Sequence, residues 1–205
     1  MLFRQNLPNL QGKIRFIHAI PSAPAVDIYL DEVEIARNIA FADITCYENI
    51  SPGRYEVKIY KSGSKDNPIA TTEIDVLPKS ALTANIVKFN NSIDVFTLDD
   101  ANIKDANYEN RSFLRFVNLS SNAPLMSLLL PNNIMLFQDA EYAERTGYYP
   151  LSPAIYDFKI TFSSISGLTK YIREEALEGG KSYTIYILGL LNKTPKLGYL
   201  IVEDE

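Results

Sequence analysis

The chain contains an internal repeat, and this repeat limits its possible folds more than any other feature of the sequence. Residues 16–30 read FIHAIPSAPAVDIYL, and residues 116–130 read FVNLSSNAPLMSLLL. Residues 47–59, YENISPGRYEVKI, return 101 positions later as YYPLSPAIYDFKI in residues 148–160. Similar blocks in the same order at nearly one spacing indicate two tandem units of about 90 residues each.

Within each unit, apolar and polar residues alternate with a period of two. Ile14, Phe16 and His18 fall on one face of a predicted strand, whereas Lys13 and Arg15 fall on the opposite face, nearer water. Residues 170–177 are rich in charge, but they align with the strand-like residues 70–76 and are also predicted to form a strand. Short alternating strands separated by Pro, Gly and Ser turns favour a sandwich of about seven strands per unit.

The predicted fold class is therefore all-β, with two tandem antiparallel β-sandwich domains. The first repeat is expected to span residues 1–98, with its core in residues 13–98. A polar linker rich in Asn and Asp is expected at residues 99–111, because this stretch has almost no apolar side chains to bury. The second repeat is expected to span residues 112–205.

Three motifs of the first unit resemble the bacterial domain of unknown function 4397 family. HAIPSAPAVDIYL at His18–Leu30 resembles the opening signature of this family, and residues 41–43 with Tyr47 and residues 51–55 resemble its later segments. The resemblance covers residues 13–98 well and residues 112–203 more weakly. It implies Ig-like or transthyretin-like β-sandwich repeats, which are common in bacterial surface proteins, and it implies no established catalytic activity.

Charge and composition exclude several classes of function. The 205 residues carry 20 basic and 25 acidic side chains, and both halves of the chain are mildly acidic, which argues against nucleic-acid binding. One Cys and one His cannot form a zinc cluster or a disulfide framework. No metal or cofactor is predicted, and a calcium site among Asp27, Asp31 and Asp43 stays an open alternative because calcium binds several oxygen ligands. The lone Cys46 is expected to be a buried small apolar residue.

The beginning of the sequence, MLFRQNLPNLQG, has neither the apolar run nor the small-residue cleavage site of a signal peptide. No apolar run approaches the length of about 20 residues that a transmembrane helix needs. The expected location is therefore the cytoplasm, or a layer assembled from the cytoplasm such as a spore coat.

His18 and Asp27 form the one pair of side chains that could take part in ligand binding or catalysis, because they flank the turn at residues 21–24 and adjacent strands could bring them together. In one interpretation Asp27 orients or charges His18 for binding a ligand. In the other interpretation, which is favoured, both side chains make local hydrogen bonds, because the second unit replaces them with Asn118 and Ser127. No catalytic residue is predicted, since a single His without a nucleophile elbow does not support a hydrolytic triad.

The second unit carries the candidate interface. Its strand at residues 126–130 is apolar on both faces, which predicts a covering surface. Tyrosines suit interfaces and sugar stacking, and the candidate interface residues are Met126, Leu128, Leu129, Leu130, Tyr148 and Tyr149. The favoured function is a non-enzymatic structural or assembly protein of a bacterial envelope or spore layer, acting through a protein partner or self-association. The alternative is a module that binds carbohydrate or cell-wall polymer, and an enzyme using His18 and Asp27 ranks last.

Overall fold

Each unit folds into a sandwich of two four-stranded sheets. The computed structural model describes residues 10–100 and 108–205, and the chain divides after Asp100 into two compact units. The strands of the first unit are β1 (Gly12–His18), β2 (Val26–Leu30), β3 (Val33–Ile39), β4 (Glu48–Ile50), β5 (Gly53–Lys61), β6 (Ala70–Val76), β7 (Ala81–Phe89) and β8 (Ser92–Asp100). Those of the second unit are β9 (Ser112–Asn118), β10 (Met126–Leu129), β11 (Met135–Ala140), β12 (Tyr149–Leu151), β13 (Ala154–Phe162), β14 (Thr169–Leu177), β15 (Ser182–Leu188) and β16 (Gly198–Asp204).

The two units share one topology, strand for strand. In the first unit one sheet has the order β4-β1-β7-β8 and the other has the order β3-β2-β5-β6. The second unit repeats this arrangement as β12-β9-β15-β16 and β11-β10-β13-β14. The neighbouring strands are antiparallel except for β1 with β7 and β9 with β15, which pair in parallel. Parallel neighbours need a long crossover, and here the chain passes through the opposite sheet before it returns.

The alternation of apolar residues places one face of every sheet in a core. Ile14 and Phe16 of β1 meet Ile28 of β2 and Val57 of β5 in the first core. The second core has the corresponding residues of β9, β10 and β13, among them Phe116, Leu128 and Phe158. The all-β prediction is confirmed, and the described residues of each unit form eight strands rather than about seven.

Three local predictions have different outcomes. The charged segment at residues 170–177 is a strand, as predicted, and forms β14. Strand β8 continues through Asp99 and Asp100, the first two residues of the predicted linker, and residues 101–107 of that linker lie outside the described part of the chain. The prediction for Cys46 is wrong: it is exposed because it lies in the irregular segment between β3 and β4. Within the described ranges, no helix is long and apolar enough to cross a membrane.

Candidate functional site

His18 lies at the end of β1 with its side chain fully buried. Its Nδ1 accepts a hydrogen bond from the backbone N–H of Ile20 at 3.3 Å. An N–H group can only donate, so the ring proton is on Nε2, which lies 3.2 Å from the carbonyl oxygen of Pro24 and donates to it. Burial lowers the pKa of His18, and the hydrogen bond to Pro24 and the charge of Asp43 offset this only in part. The imidazole is therefore neutral, and both of its nitrogens are occupied by backbone groups.

Asn118 reproduces this arrangement in the second unit. Its Oδ1 accepts from the backbone N–H of Ser120 at 3.0 Å, and its Nδ2 donates to the carbonyl of Ala140 at 3.4 Å. Both residues thus accept a bond from the backbone two positions later and donate one to a carbonyl. The two units therefore share a hydrogen-bonding pattern at this position, and this pattern does not require an ionisable side chain.

Replacing His18 with asparagine is expected to remove a pH-dependent part of the stability of the first unit. The pKa of His18 is about 6.5 in the unfolded chain and lower in the folded one. Its contribution is therefore complete above pH 6.5 and is lost as the pH falls below 6.5, by at most about 1.4 kcal/mol per pH unit. Urea unfolding followed by circular dichroism at pH 7.5 and pH 5.5 tests this. An unchanged pH dependence in His18→Asn contradicts the assignment, whatever the variant does to stability at pH 7.5.

Asp27 ties together two neighbouring backbone segments. Its carboxylate accepts from the N–H of Asn38 at 2.7 Å and from the N–H of Gly63 at 3.0 Å. Burial alone raises the pKa of Asp27, but these backbone bonds and the Ser62 hydroxyl outweigh it and hold the pKa below its ordinary value. Ser127 takes the same place in the second unit and accepts from the N–H of Asp139 at 2.9 Å. Asp27 and His18 therefore share no hydrogen-bond partner: the partners of His18 are close in sequence, whereas those of Asp27 come from two other segments of the chain.

A polar cavity of about 460 Å³ opens above Asp27 on the face of the β3-β2-β5-β6 sheet that points away from the core. Tyr29 forms part of its lining and donates a hydrogen bond to Glu34, which also accepts from Arg37 at 2.8 Å. The Lys65 ammonium lies 4.0 Å from the centre of the Tyr29 ring. We call these residues, Asp27, Tyr29, Glu34, Arg37 and Lys65, the polar cradle. It combines an aromatic ring with charged side chains of both signs, which can fix the orientation of a bound polar ligand.

The second unit replaces one polar pair of the polar cradle with an apolar pair. Tyr29 of β2 pairs with Glu34 of β3, and at the same place in the second unit Leu129 of β10 pairs with Met135 of β11. Tyr29 therefore corresponds to Leu129, and Glu34 corresponds to Met135. The hydrogen-bonded Tyr–Glu pair of one unit is thus a Leu–Met pair in the other. The duplicated fold therefore carries two chemically different surfaces on one backbone arrangement.

The candidate interface residues fall into four environments. Met126 and Leu128 lie in the core of the second unit, and Leu130 packs against that core. Leu129 is on the other face of β10 and is also buried, so this strand is buried on both faces, as is β2 of the first unit. Tyr149 is the exposed member of the set, at 38 % of its surface. Tyr148 belongs to a network of polar side chains.

That network has a counterpart in the first unit, formed by Arg15, Tyr47, Thr83 and Asp100, which we call the buried quartet. The Arg15 Nε donates to the Thr83 hydroxyl at 2.8 Å, and this hydroxyl donates to the Asp100 carboxylate at 2.5 Å. The Tyr47 hydroxyl donates to the same Asp100 oxygen at 2.7 Å, and the Arg15 guanidinium lies 4.3 Å from the centre of the Tyr47 ring. Arg15 and Asp100 are only 4 % and 6 % exposed.

The second unit contains the same quartet. Arg115 donates to Thr184 at 2.9 Å, and Thr184 and Tyr148 donate to Asp204 at 2.5 and 2.8 Å. Neither network is predicted from the sequence, although every member recurs in the second unit. The available signal was the repetition of an Arg, a Tyr, a Thr and an Asp at matching strand positions.

Two comparisons bear on the identity of the chain. The family profile described as "Domain of unknown function (DUF4397)" matches residues 12–129 and, a second time, residues 112–205. No curated protein matches the chain. No group of three or more His, Cys, Asp or Glu residues within residues 10–100 and 108–205 is arranged to hold a metal ion.

Proposed function

The chain belongs to the DUF4397 family, whose members share a domain of unknown function, and we propose its role from its own surfaces. It is a non-enzymatic assembly protein that self-associates through one edge of its second unit. This edge consists of β11 and β12, which end their respective sheets on the same side of the sandwich. The Phe137 ring of β11 lies 6.3 Å from the Tyr149 ring of β12, so the two strands form one continuous surface. We call it the β11–β12 edge.

The observation that carries the proposal is a difference between the repeats at three aligned positions. Strand pairing aligns Glu34, Ala36 and Glu48 of the first unit with three apolar residues of the second, namely Met135, Phe137 and Tyr149. Acidic side chains on an edge strand discourage pairing with other chains. At the two aligned acidic positions the first unit has Glu34 and Glu48, whereas the second unit has Met135 and Tyr149.

The exposed atoms at this edge favour a second copy of the same chain as the partner. Ile134, Met135 and Tyr149 are 49 %, 44 % and 38 % exposed. Strand β11 has one neighbour in its sheet, β10, so its outer backbone groups lie at the sheet edge. Two copies related by a two-fold axis can pair β11 with β11 and cover both apolar edges at once.

The absence of an enzymatic role is part of the proposal. It is supported by the positions of His18 and Asp27, whose polar atoms bond to backbone groups of their own unit. A general acid or base needs an atom within reach of a substrate, and the fully buried His18 does not offer one.

Self-association is expected to raise the mass measured by size-exclusion chromatography with light scattering from 23.1 kDa at low concentration towards twice that value. The double variant Met135→Glu/Tyr149→Glu is expected to raise the dissociation constant at least about tenfold, because carboxylates face each other across the two-fold axis. The variant is expected to fold, since the first unit has glutamate at both aligned positions.

Val33→Glu is the matched control, because Val33 is 63 % exposed on the corresponding edge of the first unit. It is expected to leave the dissociation constant unchanged. A chain that stays monomeric at every concentration overturns the proposal.

Saturable binding of a soluble polysaccharide, weakened by Arg37→Ala, then supports the second candidate, a carbohydrate-binding module that uses the polar cradle.

A further inference from the structure

Two neighbouring cavities open on the side of the second unit opposite to the β11–β12 edge. The first, about 210 Å³, lies between β14 and β16, which end their sheets on this side. The second, about 430 Å³, lies beside the loop at residues 189–197. Lys170 and Leu197 line both cavities, so the two form one groove, which we call the β14–β16 groove.

The inner part of this groove is apolar. It is lined by Ile160, Ile172 and Ile187, which are 3 %, 1 % and 0 % exposed and belong to the core of the unit. Tyr171 and Tyr199 line the same cavity and are about half exposed, at 49 % and 41 %. An apolar chain that enters between these rings therefore reaches core side chains instead of water.

The outer part of the groove is positively charged. Lys170, Lys193 and Lys196 line it, and no acidic side chain is among the described residues that line either cavity. By contrast, other lysines of the chain are paired: Lys181 lies 2.8 and 3.0 Å from two glutamates, and Lys58 lies 2.9 Å from Glu32. In a chain with a net charge of −5, three lysines at the mouth of one groove make a local site for an anion.

The first unit lacks these features at the aligned positions. Strand pairing aligns Lys170 with Ala70, Tyr171 with Thr71, and Tyr199 with Val95. The loop that carries Lys193 and Lys196 replaces the tight turn at Asn90 and Asn91, both of which have a positive φ. The three lysines, the two tyrosine rings and the long loop therefore occur together in the second unit and are absent from the aligned positions of the first.

We infer that the β14–β16 groove binds an aliphatic carboxylate of medium chain length. The carboxylate lies among Lys170, Lys193 and Lys196, and the hydrocarbon chain extends between Tyr171 and Tyr199 towards Ile172. The volume of the larger cavity, about 430 Å³, is in the range of small-molecule sites, which are largely apolar with a few polar groups that fix orientation. The groove and the β11–β12 edge are on opposite sides of the second unit, so this inference does not depend on the proposed self-association.

Calorimetric titration of the full chain with octanoate, decanoate and dodecanoate, each below its micelle concentration, tests the inference. Saturable binding of one molecule per chain is expected, with the dissociation constant falling up to about fourfold for each added methylene. Decanol is expected to bind at least about tenfold more weakly than decanoate, because it lacks the charge that the lysines attract.

The variant Lys193→Gln/Lys196→Gln separates the charged contact from the apolar one. It is expected to weaken decanoate binding about tenfold, to leave decanol binding unchanged, and to fold normally because both lysines are exposed. The matched control Lys79→Gln, at an exposed lysine of the first unit, is expected to bind decanoate like the unmodified chain. The inference is overturned if decanoate does not saturate, if acetate binds as tightly as decanoate, or if the lysine variant binds decanoate unchanged.

Discussion

Replacing Asp100 with asparagine is expected to lower the free energy of unfolding of the first unit by about 3–5 kcal/mol. The substitution keeps the shape of the side chain and removes its charge. Asp100 lies 4.0 Å from the Arg15 guanidinium, and one of its oxygens accepts hydrogen bonds from Thr83 and Tyr47. The loss is large because Arg15 stays charged and buried after its neighbouring anion has gone.

The neighbouring residue provides a matched control. Asp99 lies on the same strand, is exposed, and points to the opposite face. The variant Asp99→Asn makes the same chemical change at an exposed side chain and is expected to change the free energy of unfolding by at most about 0.5 kcal/mol. The comparison therefore isolates the effect of burial from the effect of the substitution itself.

Native-state hydrogen exchange gives the measurement for each unit separately, with β7 reporting on the first and β15 on the second. Asp100→Asn is expected to speed exchange in β7 and to leave β15 unchanged, and Asp204→Asn is expected to do the reverse. Equal effects of Asp100→Asn and Asp99→Asn on β7 contradict the assigned role of the buried quartet. The Asp100 carboxylate then contributes no more to stability than an exposed one.

The buried quartets also show what the sequence pattern predicts and what it misses. A period of two correctly assigns Phe16 and Arg15 to opposite faces of β1, but it does not determine whether the second face is exposed. Arg15 was therefore expected nearer water, whereas it is 4 % exposed. In addition, the spacing between equivalent residues grows from 100 for the Arg pair to 104 for Asp100 and Asp204, because loops of the second unit are longer. A search at one fixed spacing cannot detect such a set.

The candidate sites were harder to predict than the fold, for a physical reason. Backbone arrangement follows from alternation, turns and repetition, and these survive many substitutions. Ligand or partner contacts depend on differences between the repeats, such as Glu34 against Met135 or Ala70 against Lys170. Aligning the two repeats from sequence already matches Ala70 with Lys170, but Glu34 and Met135 can be matched only after strand register is known, because the turn after β10 is one residue longer than the turn after β2.

Replacing Leu128 with alanine is expected to lower the free energy of unfolding of the second unit by about 2–5 kcal/mol. The side chain is fully buried in the core cluster of that unit, and its removal leaves a cavity that neighbours fill only in part. Leu125→Ala, at a residue that is 37 % exposed just before the same strand, is expected to cost at most about 0.5 kcal/mol. Urea unfolding followed by circular dichroism measures both variants.

The same variant separates a core role from an interface role for Leu128. Continuous apolar sequence in residues 126–130 predicted a contact surface, but consecutive side chains of a strand point to opposite faces. Leu128 therefore shares the core face with Met126, and Ser127 and Leu129 share the other. Leu128→Ala is expected to reduce stability while the dissociation constant of the folded chain stays the same. Weaker self-association at unchanged stability contradicts this assignment, because it requires the Leu128 side chain to lie at the surface and not in the core.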